Sequence, residues 1–192
     1  MKKFSANLLS KIFTYKNSAR LVRYMAKTSH YLRLHKYDIF NKIPAEPGVI
    51  AFKHGFKIFG KVADFYLVGG VSPNKVRGIF YPGLFKNDFC KPFLKQWCVI
   101  PSNHLFHINK FLNPGESVAI ALDGPEESSN QNGYLGAAWI AEKTGLPIIP
   151  LKIISRGGYT RIEVKNKILV PKNSDRKKLR EITDIVLNEI NH

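Results

Sequence analysis

Gly115-Glu-Ser-Val-Ala-Ile-Ala-Leu-Asp-Gly-Pro125 runs from a glycine through an apolar stretch into an acidic residue and a turn dipeptide. A short apolar run bounded by turn residues at both ends is the pattern of a central strand buried on both faces. Such a strand delivers the Asp123 carboxylate and a Gly124-Pro125 turn to the rim of a sheet, where α/β proteins build their sites. Proline restricts the backbone at the turn, so carboxylate and neighbouring amides are held in one geometry.

Outward from this stretch, further short apolar runs fall at 47–53, 76–80, 97–101, 146–154 and 160–164. Helical patterns separate them. Residues 136–144 are closed by Gly145, and 175–190 carry an apolar stripe of Leu179, Ile182, Ile185, Val186 and Ile190. Residues 54–67 read as helical or irregular, ending at Gly69-Gly70. Alternating strands and helices predict an α/β fold, a single domain with a mixed, mostly parallel sheet flanked by helices. The composition shift near Pro44 divides the chain into an N-terminal basic helical region, 1–43, and an α/β domain, 44–192.

The 192 residues are 44% hydrophobic and carry a formal net charge of +16, enough core for one folded unit and enough field to recruit polyanions. Residues 1–27 hold Lys2, Lys3, Lys11, Lys16, Arg20, Arg23 and Lys27 and no acid, interleaved with Phe4, Leu8, Leu9, Ile12 and Phe13. On a helix these apolar positions share one face. That predicts a basic amphipathic helix lying on an anionic membrane surface, or equally one packed on the domain with a basic outer side. Cys90 and Cys98 have neither Cys-x-x-Cys spacing nor a second pair, so they read as reduced thiols and not as metal ligands. With no apolar run of membrane-spanning length, the expected location is the cytoplasm, peripheral on the cytoplasmic membrane face.

His54 follows an apolar strand and precedes Gly55, which allows another group to approach closely. A neutral imidazole there suits proton removal near neutral pH. A lone strand-end histidine is more often held by a backbone carbonyl; its pairing with the Asp123 turn raises it. His104, in Ser102-Asn-His104, is the second choice, and His107 three residues on would share its helical face. Two histidines without a third ligand at recognisable spacing do not make a metal site, and none is expected.

Taken in order, strand-His54-Gly55, the Gly115 to Pro125 block, Gly133, and Ala137-Ala-Trp-Ile-Ala-Glu-Lys-Thr-Gly-Leu-Pro-Ile-Ile-Pro-Leu-Lys152 resemble the lysophospholipid acyltransferase superfamily. The likeness is to its short bacterial branch, in which His-Gly stands for the longer His-x4-Asp signature. The resemblance implies a glycerol-3-phosphate acyltransferase-like fold that moves a fatty acyl group from acyl-CoA or acyl carrier protein to a hydroxyl of a lipid or lipid precursor. It implies no cofactor beyond that acyl co-substrate. It makes His54 the general base and Asp123 a second catalytic residue, with Gly55, Gly124, Pro125 and Lys57 toward substrate. Where the signature places an orienting Asp, this chain has Phe59. Were residues 54–65 one helix, Asp64 would stand about 15 Å along its axis from His54. Asp88, in Phe85-Lys-Asn-Asp-Phe89, has a loop position between strands from which folding could bring it to the site as the orienting carboxylate, its alternative reading being a solvated surface Asp.

From another class comes a noncatalytic basic membrane- or RNA-binding protein, with Tyr15, Tyr24, Tyr31 and Phe52 available to stack on bases. No RNA-recognition strand motif, suitably placed Gly-x-x-Gly clamp or zinc knuckle accompanies them, so nucleic acid is not the expected partner. Gly-x-Ser-x-Gly and phosphate-cradling Gly-x4-Gly-Lys loops are also missing from the sequence.

Overall fold

A computed structural model describes residues 36–55, 57–58, 61–62, 64–80, 82–86, 99–123, 134–156 and 159–192. The expected N-terminal helix, Cys90 and Cys98 lie outside them.

In chain order the elements are β1 (Lys36–Phe40), β2 (Val49–Phe52), β3 (Lys57–Ile58), β4 (Lys61–Val62), α1 (Asp64–Val71) and β5 (Val76–Phe80). A 3-10 turn (Pro82–Lys86) precedes β6 (Ile100–Pro101), and a longer 3-10 segment (Ser102–Lys110) follows it. Then come β7 (Ser117–Ala121), α2 (Gly136–Thr144), β8 (Ile148–Arg156), β9 (Tyr159–Val164) and α3 (Arg176–Asn191). Seven strands form one sheet in the order β1-β9-β8-β2-β7-β5-β6, and β3 and β4 make a separate two-stranded ribbon. Within the large sheet β8 and β9 run antiparallel and every other neighbouring pair is parallel. This is the mixed, mostly parallel α/β sheet that the alternation predicts.

β2 sits between β7 and β8, and all four of its residues are buried, as a strand covered on both faces requires. Its side chains alternate between two apolar layers. Val49 and Ala51 join Val118, Ile120 and Ile148 beneath α2 and α3, whereas Ile50 and Phe52 join Ala119, Leu151, Ile162 and the α1 residues Leu67 and Val68. The same alternation sets the direction of residues just past the strand ends.

Local signals account for the helices. Gly145 adopts a left-handed conformation (φ 71°) and its N–H donates to the Ala141 carbonyl, closing α2. Asp175 caps α3, its carboxylate accepting from the Lys178 N–H at 2.7 Å. Leu179, Ile182, Val186 and Ile190 face the core as expected, but Ile185 is 52% exposed and Leu187 takes its place. At 100° per residue, 187 lies on the stripe set by 179, 183, 186 and 190, and 185 lies off it.

Two expectations are corrected by pairing that no local pattern reports. Lys36–Phe40 pairs in parallel with Tyr159–Val164, so the sheet begins ahead of the expected domain limit at residue 44. Residues 54–67 are not one helix, because the β3–β4 ribbon intervenes and α1 starts only at Asp64. α1 also continues through Gly69-Gly70, its last turn closed by the Ser72 N–H donating to the Val68 carbonyl. Glycine permits a helix end without imposing one.

At the entry to β7, Glu116 is buried and ties neighbouring strands together. It forms ion pairs with Arg77 and with Lys75 (2.7 Å), and accepts from the Asn113 N–H at 3.0 Å. Burial pushes its carboxyl up, but hydrogen bonds from Arg77, Lys75 and Asn113 outweigh that and hold it at about 2, down from 4.5. A lowered folded-state value stabilises the fold above pH 4.5, and the contribution is lost as pH falls toward about 2. Unfolding free energy from denaturant titrations should therefore decline across that interval, and Glu116→Gln should flatten this part of the profile.

Candidate active site

His54 lies two residues beyond β2 and Asp123 two residues beyond β7, so both stand at the C-terminal ends of adjacent parallel strands. The Leu122 N–H donates to the Phe52 carbonyl at 2.8 Å, locking the two strand ends in register. Strand alternation sends His54 and Asp123 to the α1 side of the sheet, the side of Phe52 and Ala119. The sixty-nine residues between them in sequence reduce to contact. The His54 N–H donates to Asp123 Oδ2 at 3.0 Å, and His54 Nε2 lies 4.0 Å from Asp123 Oδ1.

His54 Nδ1 is 2.9 Å from Oδ2 of Asp64, the first residue of α1, and the other oxygen of that carboxylate accepts from the Gly55 N–H at 3.1 Å. Asp64 is fully buried, whereas the side chains of His54 and Asp123 are 23% and 28% exposed. A buried carboxylate needs donors. Here the imidazole and the Gly55 amide supply them, and the positive end of α1 adds to their effect. With Nδ1 facing the Asp64 carboxylate, Nδ1 is the nitrogen that carries the ring proton. Phe52 meets the ring edge-on, with centroids 6.2 Å apart.

Among the described residues Asp64 is thus the carboxylate on Nδ1 of the His54 ring, contrary to the expectation that discounted it. The 15 Å separation followed from a continuous helix. The ribbon instead pairs Lys57 with Val62 and Ile58 with Lys61, carrying the chain out and back so that residues ten apart meet. Phe59-Gly60 between two short alternating pairs is the sequence signal of such a hairpin.

The remaining candidates fall out as follows. Gly55 allows no side chain, since an added Cβ would lie 2.4 Å from the Ile153 carbonyl oxygen. Its N–H is given to Asp64, so this glycine positions the carboxylate. Lys57 lies on β3, with its side chain outside the described set. Asp88, Gly124 and Pro125 are outside the described residues. His104 stacks on Phe111 with centroids 5.6 Å apart, in a segment that packs on the α2 side of the sheet, opposite His54. Among the described residues no group of three or more His, Cys, Asp or Glu side chains is placed to hold a metal ion.

Neither a scan against family models nor a comparison with curated protein sequences finds a match. Among solved structures, the chain is similar to the 1-acyl-sn-glycerophosphate (LPA) acyltransferase PlsC from Thermotoga maritima. The TM-score is 0.62 at 15% identity, over 92% of this chain and 80% of the other. At that identity the likeness is one of fold.

Nitrogen-15 NMR of the His54 ring should show the proton on Nδ1 and an unprotonated Nε2 at neutral pH. A ring protonated on Nε2 alone would contradict the Asp64 contact.

Proposed function

We propose that this protein is an acyltransferase that moves a fatty acyl group from a thioester, acyl-CoA or acyl carrier protein, to a hydroxyl of a lipid or lipid precursor at a membrane surface. The observation that carries the reading is the His54–Asp64 pair, an imidazole held through Nδ1 with Nε2 4.0 Å from Asp123 Oδ1. The fold shared with an LPA acyltransferase supports it.

In this reading Nε2 removes the acceptor's hydroxyl proton as its oxygen attacks the thioester carbonyl carbon. Proton removal during attack avoids a high-energy oxonium, and such general-base assistance contributes about 10²–10⁴-fold in rate. The imidazolium so formed is stabilised by Asp64 through Nδ1–H and by the Asp123 carboxylate near Nε2. Collapse of the tetrahedral adduct breaks the carbon–sulfur bond. The leaving thiolate takes the proton back from Nε2, giving an ester, a free thiol and a neutral histidine.

No helix among the described residues is long and apolar enough to cross a membrane. Attachment from the cytoplasmic face is assigned to the basic residues of 1–27, because their charge complements an anionic lipid surface at about 1 kcal/mol per Lys or Arg near the headgroups.

His54→Ala should lower the acyl-transfer rate by about 10²–10⁴-fold while the protein still folds, with a lower thermal unfolding midpoint because Asp64 loses one of its donors. Full activity in that variant would reject the assignment. Replacing the lysines and arginines of 1–27 by glutamine should weaken binding to anionic vesicles and remove its salt dependence. Equal binding of the unaltered protein to neutral and anionic vesicles would refute the electrostatic attachment.

A further inference from the structure

We propose that Phe106 and Trp139 form an aromatic ridge that inserts into an anionic membrane surface and sets the strand-exit rim, with His54, against it. The inference rests on the reading that the protein works at a membrane surface, and it adds a second point of attachment to the one assigned to residues 1–27.

Phe106 is 81% exposed, the most exposed large apolar side chain among the described residues. One such residue standing alone needs no explanation. Phe106 does not stand alone, because its ring meets Trp139 of α2 edge-on with centroids 5.3 Å apart. Trp139 and Leu105 in turn pack on the core layer beneath α2, so the ridge is fixed from below while the phenyl ring projects from it. Rigid aromatic rings with lysines alongside suit the boundary between lipid headgroups and acyl chains.

Charge selects lipid as the occupant. Lys110 and Lys143 are exposed on the same two elements, and Lys143 Nζ lies 5.8 Å from the centroid of the Trp139 ring. Residues 99–123 and 134–147 contain three carboxylates. Glu116 and Glu142 are buried and ion-paired, and Asp123 accepts from the His54 N–H on the other side of the sheet. These segments therefore bring exposed cations and no exposed carboxylate to the ridge, which can approach anionic headgroups without repulsion. Lys143 is already paired with Glu142 at 3.0 Å, so the rings supply most of the attraction. A second copy of a chain with net charge +16 would instead meet charge of its own sign.

Position ties the ridge to the active site. Ser102 follows β6 directly, so Phe106 lies about 8 Å from that strand's exit at roughly 2.0 Å per residue. α2 begins beside the exit of β7, where the Tyr134 N–H donates to the Leu122 carbonyl at 2.9 Å, and Trp139 stands about 4.5 Å along its axis from Gly136. Interfacial apolar groups sink about 5–10 Å into the boundary between headgroups and chains. A bilayer laid against the strand exits thus reaches both rings, and His54 comes to the depth at which a lipid presents its hydroxyl.

The test uses full-length protein and vesicles of phosphatidylglycerol and phosphatidylcholine, with or without bromine on the acyl chains. Trp97→Phe leaves Trp139 as the one tryptophan of the chain. Its emission should be quenched by the brominated vesicles and not by the plain ones. In the otherwise unaltered protein, Phe106→Ser should weaken cosedimentation with vesicles about tenfold, and Phe106→Leu should restore it. That difference should persist in 1 M salt, where the Debye length is about 3 Å and attachment through the basic residues of 1–27 is screened. Unquenched Trp139 in vesicle-bound protein, or unchanged vesicle affinity in Phe106→Ser, overturns the inference and leaves attachment through 1–27 standing. A lipid-free dimer that Phe106→Ser dissociates, with vesicle affinity unchanged, assigns the ridge to self-association and overturns it as well. Quenching and the tenfold loss in a protein that transfers no acyl group would support the ridge and reject the acyl-transfer reading.

Discussion

The Asp64 carboxylate is fully buried, and its two oxygens are used by two consecutive residues, the His54 ring and the Gly55 amide. A buried charge is tolerated only where donors replace water, and removal of a donor leaves it uncompensated. Each partner therefore constrains the other. α1 must begin where it does for its carboxylate to reach the end of β2, and the chain after β2 must turn so that the imidazole and amide converge. The β3–β4 ribbon fits that requirement by taking up the intervening residues without lengthening the distance between the two groups.

Charge is sorted along the strands and across the sheet. At the strand entries Glu116 is satisfied by Lys75, Arg77 and the Asn113 amide, an arrangement that holds β5 and the start of β7 together. At the exits, Lys53 and Lys152 meet the C-terminal end of α3, where exposed carbonyls favour cations. Their side of the sheet is apolar below them, packed under α2 and α3. On the other side His54, Asp64 and Asp123 gather at the same exits. Alternation along β2 alone separates Lys53 from His54 into these two settings.

Much of this was legible in the chain. The fully apolar β2 and β7 runs announced central parallel strands, and the residues just past them, His54 and Asp123, do come together at adjacent strand ends. Gly145 and Asp175 marked helix boundaries by chemistry that acts within a few residues. What escaped depends on distant pairing. Lys36–Phe40 is a strand because β9 lies beside it, and its own exposed Ile39 and Phe40 give no core pattern. Asp64 was discounted because the apolar residues of 56–67 suit a helix as well as a hairpin, and only the fold decides whether ten residues span a long distance or a short one.

The central claim is that His54 and Asp64 act as one unit, and a double-mutant cycle on acyl-transfer rate tests it most directly. Rates would be taken for the unaltered protein, His54→Ala, Asp64→Asn and the double variant, each confirmed folded by circular dichroism. The account predicts that Asp64→Asn alone costs about 10²-fold or more and adds little once His54 is gone, because an orienting group has nothing left to orient. Losses that multiply in the double variant, or an Asp64→Asn protein with undiminished rate, would contradict it.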